Sequence, residues 1–101
     1  MTNAEIAKVF LDIAELLKLK KDSIFKIRAY QKAVHSIAEL PGDVEKLVAE
    51  GRLREIPGVG EAIAKKITEL VTTGRLEYYE KLKTEFPQGI SAIKGGGGVN
   101  K

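Results

Sequence analysis

Residues 53 to 67 read Leu53-Arg54-Glu55-Ile56-Pro57-Gly58-Val59-Gly60-Glu61-Ala62-Ile63-Ala64-Lys65-Lys66-Ile67. Apolar residues flank a Pro-Gly-Val-Gly centre, with Leu53 and Ile56 before it and Ile63, Ala64 and Ile67 at helical spacing after it. Two glycines two apart, directly ahead of such a segment, predict a tight turn whose backbone N–H groups are uncovered at the start of a helix. Free amides and the helix dipole together receive anions, so Gly58, Val59 and Gly60 are expected to hold a phosphate through the backbone alone. A plain connection between two helices is the alternative that any Pro-Gly pair allows. The five apolar positions weigh against it, because a mere connection does not need a small core closed from both sides.

A chain of 101 residues with 44% hydrophobic content suits one domain and can bury a modest core unaided. There is no cysteine, and His35 is the single histidine, which excludes a disulfide framework and a Cys/His zinc site. No side-chain metal site is expected. No apolar run approaches the roughly 20 residues of a membrane span, and Met1-Thr2-Asn3-Ala4-Glu5 lacks the basic-then-apolar order of a signal peptide. The expectation is a cytoplasmic, monomeric protein with no membrane partner.

The net charge of +3 is mild, and its distribution says more than its size. From Lys18 to Lys32 six basic residues (Lys18, Lys20, Lys21, Lys26, Arg28 and Lys32) stand against Asp22 alone. Acidic residues gather instead at Glu39, Asp43, Glu45 and Glu50, and later at Glu77, Glu80 and Glu85. One basic and one acidic face follow. The basic one is either a solvated surface or a track for a polyanion.

Periodicity predicts helices and no strand. Thr2 and Glu5 have capping-box spacing, and Ile6, Val9, Phe10, Ile13, Leu16 and Leu17 then form one stripe ending near Leu19. Ser23 caps a second helix with Ile27, Tyr30, Val34, Ile37 and Ala38 on one side, closed by Pro41-Gly42. Asp43 caps a short third helix stopped by Gly51, where a left-handed residue is favoured. A fourth runs from about Glu61 to Thr73-Gly74, and a fifth carries Leu76, Tyr79 and Leu82 before Phe86-Pro87. The fold class is therefore an all-α bundle of four to five short helices over residues 1–87. Residues 88–101, with Gly95 to Gly98, read as a flexible tail or linker, and the chain as a piece of a longer protein.

On the fourth helix, Ile63, Ile67 and Leu70 centre the buried face, Lys66 sits at its edge and Lys65 points away. A lysine at an apolar margin among other cations meets conditions that favour the free amine, a nucleophile toward carbonyl carbon. The alternative is that Lys66 lays its stem over the core and meets a phosphate as a point charge. On the second helix Lys26 and Tyr30, four apart, share a face, Tyr30 serving first as core, while Arg28 and Lys32 form a basic pair on another side.

The run Phe25-Lys26-Ile27-Arg28-Ala29-Tyr30-Gln31-Lys32-Ala33, then Leu40-Pro41, then Ile56 through Gly60, Ile63 through Ile67, and Thr73-Gly74-Arg75-Leu76 resembles a known family. It is similar, over roughly residues 3 to 90, to the N-terminal helix-hairpin-helix, lyase-type domain of family X DNA polymerases, in the form found in bacteria and archaea. The resemblance implies a DNA-binding domain on gapped or nicked DNA in base-excision or gap repair, gripping the 5′-phosphate, with the remaining polymerase domains in its parent chain and a place at the nucleoid. Lys66 falls on the Schiff-base lysine of a 5′-deoxyribose-phosphate lyase, Lys26 and Arg54 on basic positions of the 5′-phosphate pocket, and Tyr30 on the tyrosine beside it, a second candidate catalytic residue as acceptor of the proton lost in that reaction. Lys65, Lys32 and Arg28 join the DNA-contacting set. Similar hairpins also hold a monovalent cation, here on the carbonyls of Arg54, Ile56 and Val59, and no other cofactor is implied. The sequence departs from the lyase-active pattern at Phe25 for a histidine, Ala62 for a lysine and Lys65 for a glutamate. A helical bundle that docks a protein on the acidic face from Glu39 to Glu50 is the weaker alternative.

Overall fold

The computed structural model describes residues 1–86. Five helices are present and, among the described residues, no strand: α1 (Asn3–Lys20), α2 (Ile24–Ala38), α3 (Val44–Ala49), α4 (Glu61–Thr73) and α5 (Glu77–Glu85), with a 3-10 turn at Leu53–Glu55 leading into the hairpin. The expected tail, residues 88–101, lies outside the described residues.

Helix α1 starts in the expected capping box: the Glu5 amide donates to Thr2 Oγ1 at 3.1 Å and the Thr2 amide to Glu5 Oε1 at 2.8 Å. It ends one residue beyond Leu19, at Lys20, because Lys21 takes the left-handed conformation with φ 60° and turns the chain. The Lys21 amide then donates to the Lys18 carbonyl and the Asp22 amide to the Leu17 carbonyl, both at 3.0 Å, so the last carbonyls of the helix are satisfied. Ser23 caps α2, its Oγ accepting from the Phe25 amide at 3.2 Å.

Two local expectations are corrected. Asp43 is the first residue before α3 but its side chain makes no cap bond. The amide side chain of Asn3 does this work from α1, with Oδ1 accepting from the Val44 amide at 2.9 Å and Nδ2 donating to the Gly42 carbonyl at 2.7 Å. On α2, Ala38 is exposed and Ala33 is buried, so the buried side is Ile27, Tyr30, Ala33 and Ile37, with Val34 half-buried beside it.

Helices α1 and α2 pack against each other over most of their length and form the base of the bundle. Phe10, Ile13, Leu16 and Leu17 of α1 and Ile37 of α2 are fully buried there. Leu53, Ile56 and Val59 before α4, then Ile63, Ile67 and Leu70 within it, continue the same core, so the hairpin is fastened by side chains on both sides of its turn. Helix α5 is attached by Leu76 and Leu82, both buried, and by a polar latch. Asp12, 5% exposed on α1, accepts from the Lys8 ammonium at 2.7 Å and from the Tyr79 hydroxyl at 2.7 Å, which satisfies the one charged group taken into the core among the described residues.

Candidate nucleic-acid interface

The hairpin is built from two backbone bonds. The Ile56 amide donates to the Leu53 carbonyl and the Val59 amide to the Ile56 carbonyl, each at 3.0 Å, and the buried Ile56 and Val59 side chains pin the loop between them. Gly58 has φ +84°, a conformation that L side chains rarely adopt, and a Cβ there would lie 2.7 Å from Cγ of Lys32. Gly60 differs from the sequence expectation that both glycines serve the turn. Its φ of −91° suits any residue, and a Cβ at Gly60 would meet nothing within 4 Å. The missing side chain at Gly60 leaves open space in front of the start of α4.

That start is uncapped. No side chain bonds the first turn of α4, and among the described residues the amides of Gly58, Gly60, Glu61, Ala62 and Ile63 donate to no protein acceptor; the first amide satisfied is Ala64, to the Gly60 carbonyl at 2.9 Å. The other starts are treated differently: Ser23 Oγ accepts from the Phe25 amide in the first turn of α2 at 3.2 Å, and the leading amide of α5, that of Glu77, donates to Glu69 Oε2 at 2.8 Å. Open donors at a helix N-terminus attract an anion that can approach them. Lys32, lying across Gly58, adds a positive charge beside them and has no acidic partner among the described residues.

A second cluster forms around Tyr78, a residue that the sequence reading passed over. Lys66 Nζ lies 4.7 Å and Lys26 Nζ 5.7 Å from the centre of the Tyr78 ring. The ring stacks on Tyr30 at 6.3 Å between centroids and 11° between planes, and Tyr30 in turn stacks on Phe10 at 6.0 Å. Tyr78 is four residues before the buried Leu82, a spacing that marks one helix face as clearly as the three separating Tyr79 from Leu82. That was the available signal. Lys66 is half-buried, as its place at the edge of the apolar face predicts, whereas Lys65 is exposed and pairs with Glu61 at 3.6 Å.

Lys26 also reaches Asp22 Oδ2 at 3.5 Å. The Tyr78 side chain, and then Asp22, hold the Lys26 ammonium above its ordinary value, so it stays charged. Asp22 is held below the usual carboxylate range, chiefly because its side chain accepts from the Ser23 amide at 2.7 Å, with Lys26 adding to the effect. Burial, and then the neighbouring Tyr78 side chain, pushes the Tyr30 phenol well above its usual value. Tyr30 is thus a neutral hydroxyl at any ordinary pH.

The remaining basic residues fall elsewhere. Arg54 is exposed on the 3-10 turn and Arg28 is exposed on α2; no ion pair, side-chain hydrogen bond or cation–π contact joins either to the Tyr78 cluster among the described residues. Lys32, four residues after Arg28 on α2, lies against Gly58 of the hairpin. Three carbonyls, those of Arg54, Ile56 and Val59, are expected to face a cation. Among the described residues those of Arg54 and Val59 accept no backbone bond outside the helices, and that of Ile56 accepts from the Val59 amide at 3.0 Å. They are uncharged oxygens, a donor type that suits a hard monovalent ion.

Comparison with known proteins decides the family. Residues 1–76 match the family described as the helix-hairpin-helix domain. The chain belongs to that family. Among curated relatives it is 29% identical over 90 residues to the DNA polymerase/3′-5′ exonuclease PolX of Bacillus subtilis, covering 89% of this chain and 15% of that protein. It is 35% identical over 57 residues to DNA polymerase lambda of Arabidopsis thaliana, covering 56% of this chain and 10% of that protein. The helix-hairpin-helix domain is therefore related to family X DNA polymerases. One of these relatives is bacterial and the other is from a plant, so the likeness is not confined to the bacterial and archaeal form. The chain spans about 15% and 10% of the length of these relatives. Among the described residues no helix is long and apolar enough to cross a membrane, and no group of three or more His, Cys, Asp or Glu is placed to hold a metal.

Proposed function

We propose that this helix-hairpin-helix domain binds the DNA backbone without regard to base sequence and grips the 5′-phosphate side of a gap or nick. In a longer parent chain it would hold gapped DNA for polymerase domains. The observation that carries the reading is the run of free amides at Gly58, Gly60, Glu61, Ala62 and Ile63, with open space before Gly60 and Lys32 alongside. Amides and lysines read phosphates, which are the same in every sequence. The hairpin and Lys32 would take a phosphate of the strand, with Arg54 and Arg28 as further basic contacts. Lys26 and Lys66, gathered at Tyr78, would take the terminal one.

Gly60→Val separates binding from folding. Its backbone angles suit valine and nothing stands within 4 Å of the added Cβ, so the melting temperature should hold. Affinity for duplexes of unrelated sequence should fall alike, by about tenfold for the loss of a charge-assisted contact. Unchanged affinity in a low-salt titration, with helicity intact, would reduce the hairpin to a turn.

One observation favours a second reading, in which the domain is also a 5′-deoxyribose-phosphate lyase. Lys66 is half-buried and has no acidic partner among the described residues, while its neighbour Lys65 is taken by Glu61. The neutral Lys66 amine would add to C1′ of the ring-opened sugar and expel water to give an imine. Loss of a proton from C2′ would then release the 3′-phosphate by β-elimination. Tyr30, held neutral, is no base for that proton, which would pass to water or to the leaving phosphate. Borohydride added to the domain and an incised abasic duplex should trap an adduct that Lys66→Ala abolishes and Lys65→Ala keeps. DNA bound without any adduct rejects the enzyme and leaves the binding domain.

A further inference from the structure

Two ammonium groups from different helices converge on one aromatic ring. Lys26 comes from α2, Lys66 from α4 and Tyr78 from α5, with Nζ to ring-centre distances of 5.7 Å and 4.7 Å. Like charges repel, and long lysine side chains lose rotamer freedom when held. Convergence therefore needs an attractive centre. The face of an aromatic ring supplies one to cations within about 6 Å of its centroid. The Tyr78 ring is itself held in place by stacking on Tyr30, which stacks on Phe10, while buried Leu76 and Leu82 anchor the helix on either side.

We infer that Tyr78 is the positioning residue of the site, its ring gathering the Lys26 and Lys66 ammoniums into one anion-receiving pair for a terminal phosphate monoester. This rests on the proposed function. Two cations within 5.7 Å of one ring centre suit the monoester, which carries close to two negative charges at neutral pH, better than the single charge of an internal diester. The pair is not empty of competition. Asp22 at 3.5 Å also holds Lys26, and an arriving phosphate would replace it. Without the ring, each lysine would be free to turn to solvent, and the phosphate would have to order both.

The test is fluorescence anisotropy on a gapped duplex whose downstream strand ends in a 5′-phosphate or a 5′-hydroxyl, using the unmodified protein, Tyr78→Phe and Tyr78→Leu. Tyr78→Phe keeps the ring and should keep the phosphate preference within about twofold. Tyr78→Leu should reduce that preference by roughly threefold to tenfold, with affinity for the hydroxyl end unchanged because the hairpin carries it. In the free protein the ε-methylene protons of Lys66 should show an upfield ring-current shift that Tyr78→Phe retains and Tyr78→Leu lacks. A merely structural role would not produce that pattern. The inference is overturned if Tyr78→Leu keeps the full preference, if Tyr78→Phe loses as much as Tyr78→Leu, or if Tyr78→Leu weakens both ends equally. Equal affinity of the unmodified protein for the two ends instead defeats the proposed function, and a preference indifferent to Tyr78 defeats only the inference.

Discussion

Lys65 and Lys66 are adjacent in the chain and have opposite surroundings. The helix period alone predicts this, since one step of about 100° carries Lys66 to the edge of the face made by Ile63 and Ile67 and leaves Lys65 in solvent. What Lys66 touches there could not be read in the same way, because Tyr78 lies on another helix. Lys26 illustrates the same limit. Its place on the face of Tyr30 follows from a spacing of four, but its two partners, Asp22 and Tyr78, are one local and one distant. The local partner leads to a prediction. In Asp22→Asn the side-chain oxygen still accepts from the Ser23 amide, while the carboxylate competing for Lys26 is gone. Affinity for a 5′-phosphate end should rise by about twofold to fivefold, the weight of an exposed ion pair, with the hydroxyl end less affected. Weaker binding in anisotropy would show that Asp22 positions Lys26 rather than competing for it.

At the scale of the element, the capping box of α1, the Ser23 cap of α2 and the Gly74 end of α4 at φ +78° are local chemistry and were legible. The cap of α3 was not, because Asn3 reaches Val44 across the sequence from another helix. The turn after α1 was legible only as a lysine-rich connection. Its left-handed residue is Lys21, a side chain that costs about 1–2 kcal/mol in that conformation. Lys21→Gly removes the cost and keeps the amide that donates to Lys18. The expected gain is about 1 kcal/mol, diminished somewhat by the greater freedom of glycine in the unfolded chain, and it should raise the melting temperature by a few degrees. A fall in melting temperature would mean that the Lys21 side chain contributes more than its backbone loses.

At the scale of the molecule, the all-α class and a single core were legible because they follow from stripes of apolar residues at helical spacing. The polar latch between α1 and α5 was not, since Asp12 reads as an ordinary exposed acid four residues from Lys8 until Tyr79 closes over it. Two phenols now sit in protected places. Burial raises both Tyr30 and Tyr79 well above the ordinary tyrosine value of 10.0, and the hydroxyl bond to Asp12 adds to the rise at Tyr79. The sign follows from proton binding. Above pH 10 the unfolded chain releases these protons while the folded one keeps them, so the stability that is whole below that pH declines as pH rises further. The melting temperature should therefore fall above about pH 10, and less steeply in Tyr79→Phe. An alkaline profile identical in Tyr79→Phe and the unmodified protein would place the ionisation elsewhere.

The hairpin shows where local information ends. Leu53, Ile56, Gly58, Ile63 and Ile67 stand close enough in the chain for their spacing to specify a turn, its helix and the face that buries it, and residues 1–76 carry the family likeness in the same pattern. These were matters of sequence, because helix periods and turn geometry involve neighbours a few positions apart. The sorting of the basic residues was not. Lys32 comes to Gly58, and Lys26 and Lys66 to Tyr78, only because α1 and α2 pack side by side and α4 and α5 pack on them. Which cations share a site depends on distances between helices, and those are set by the burial of the core as a whole.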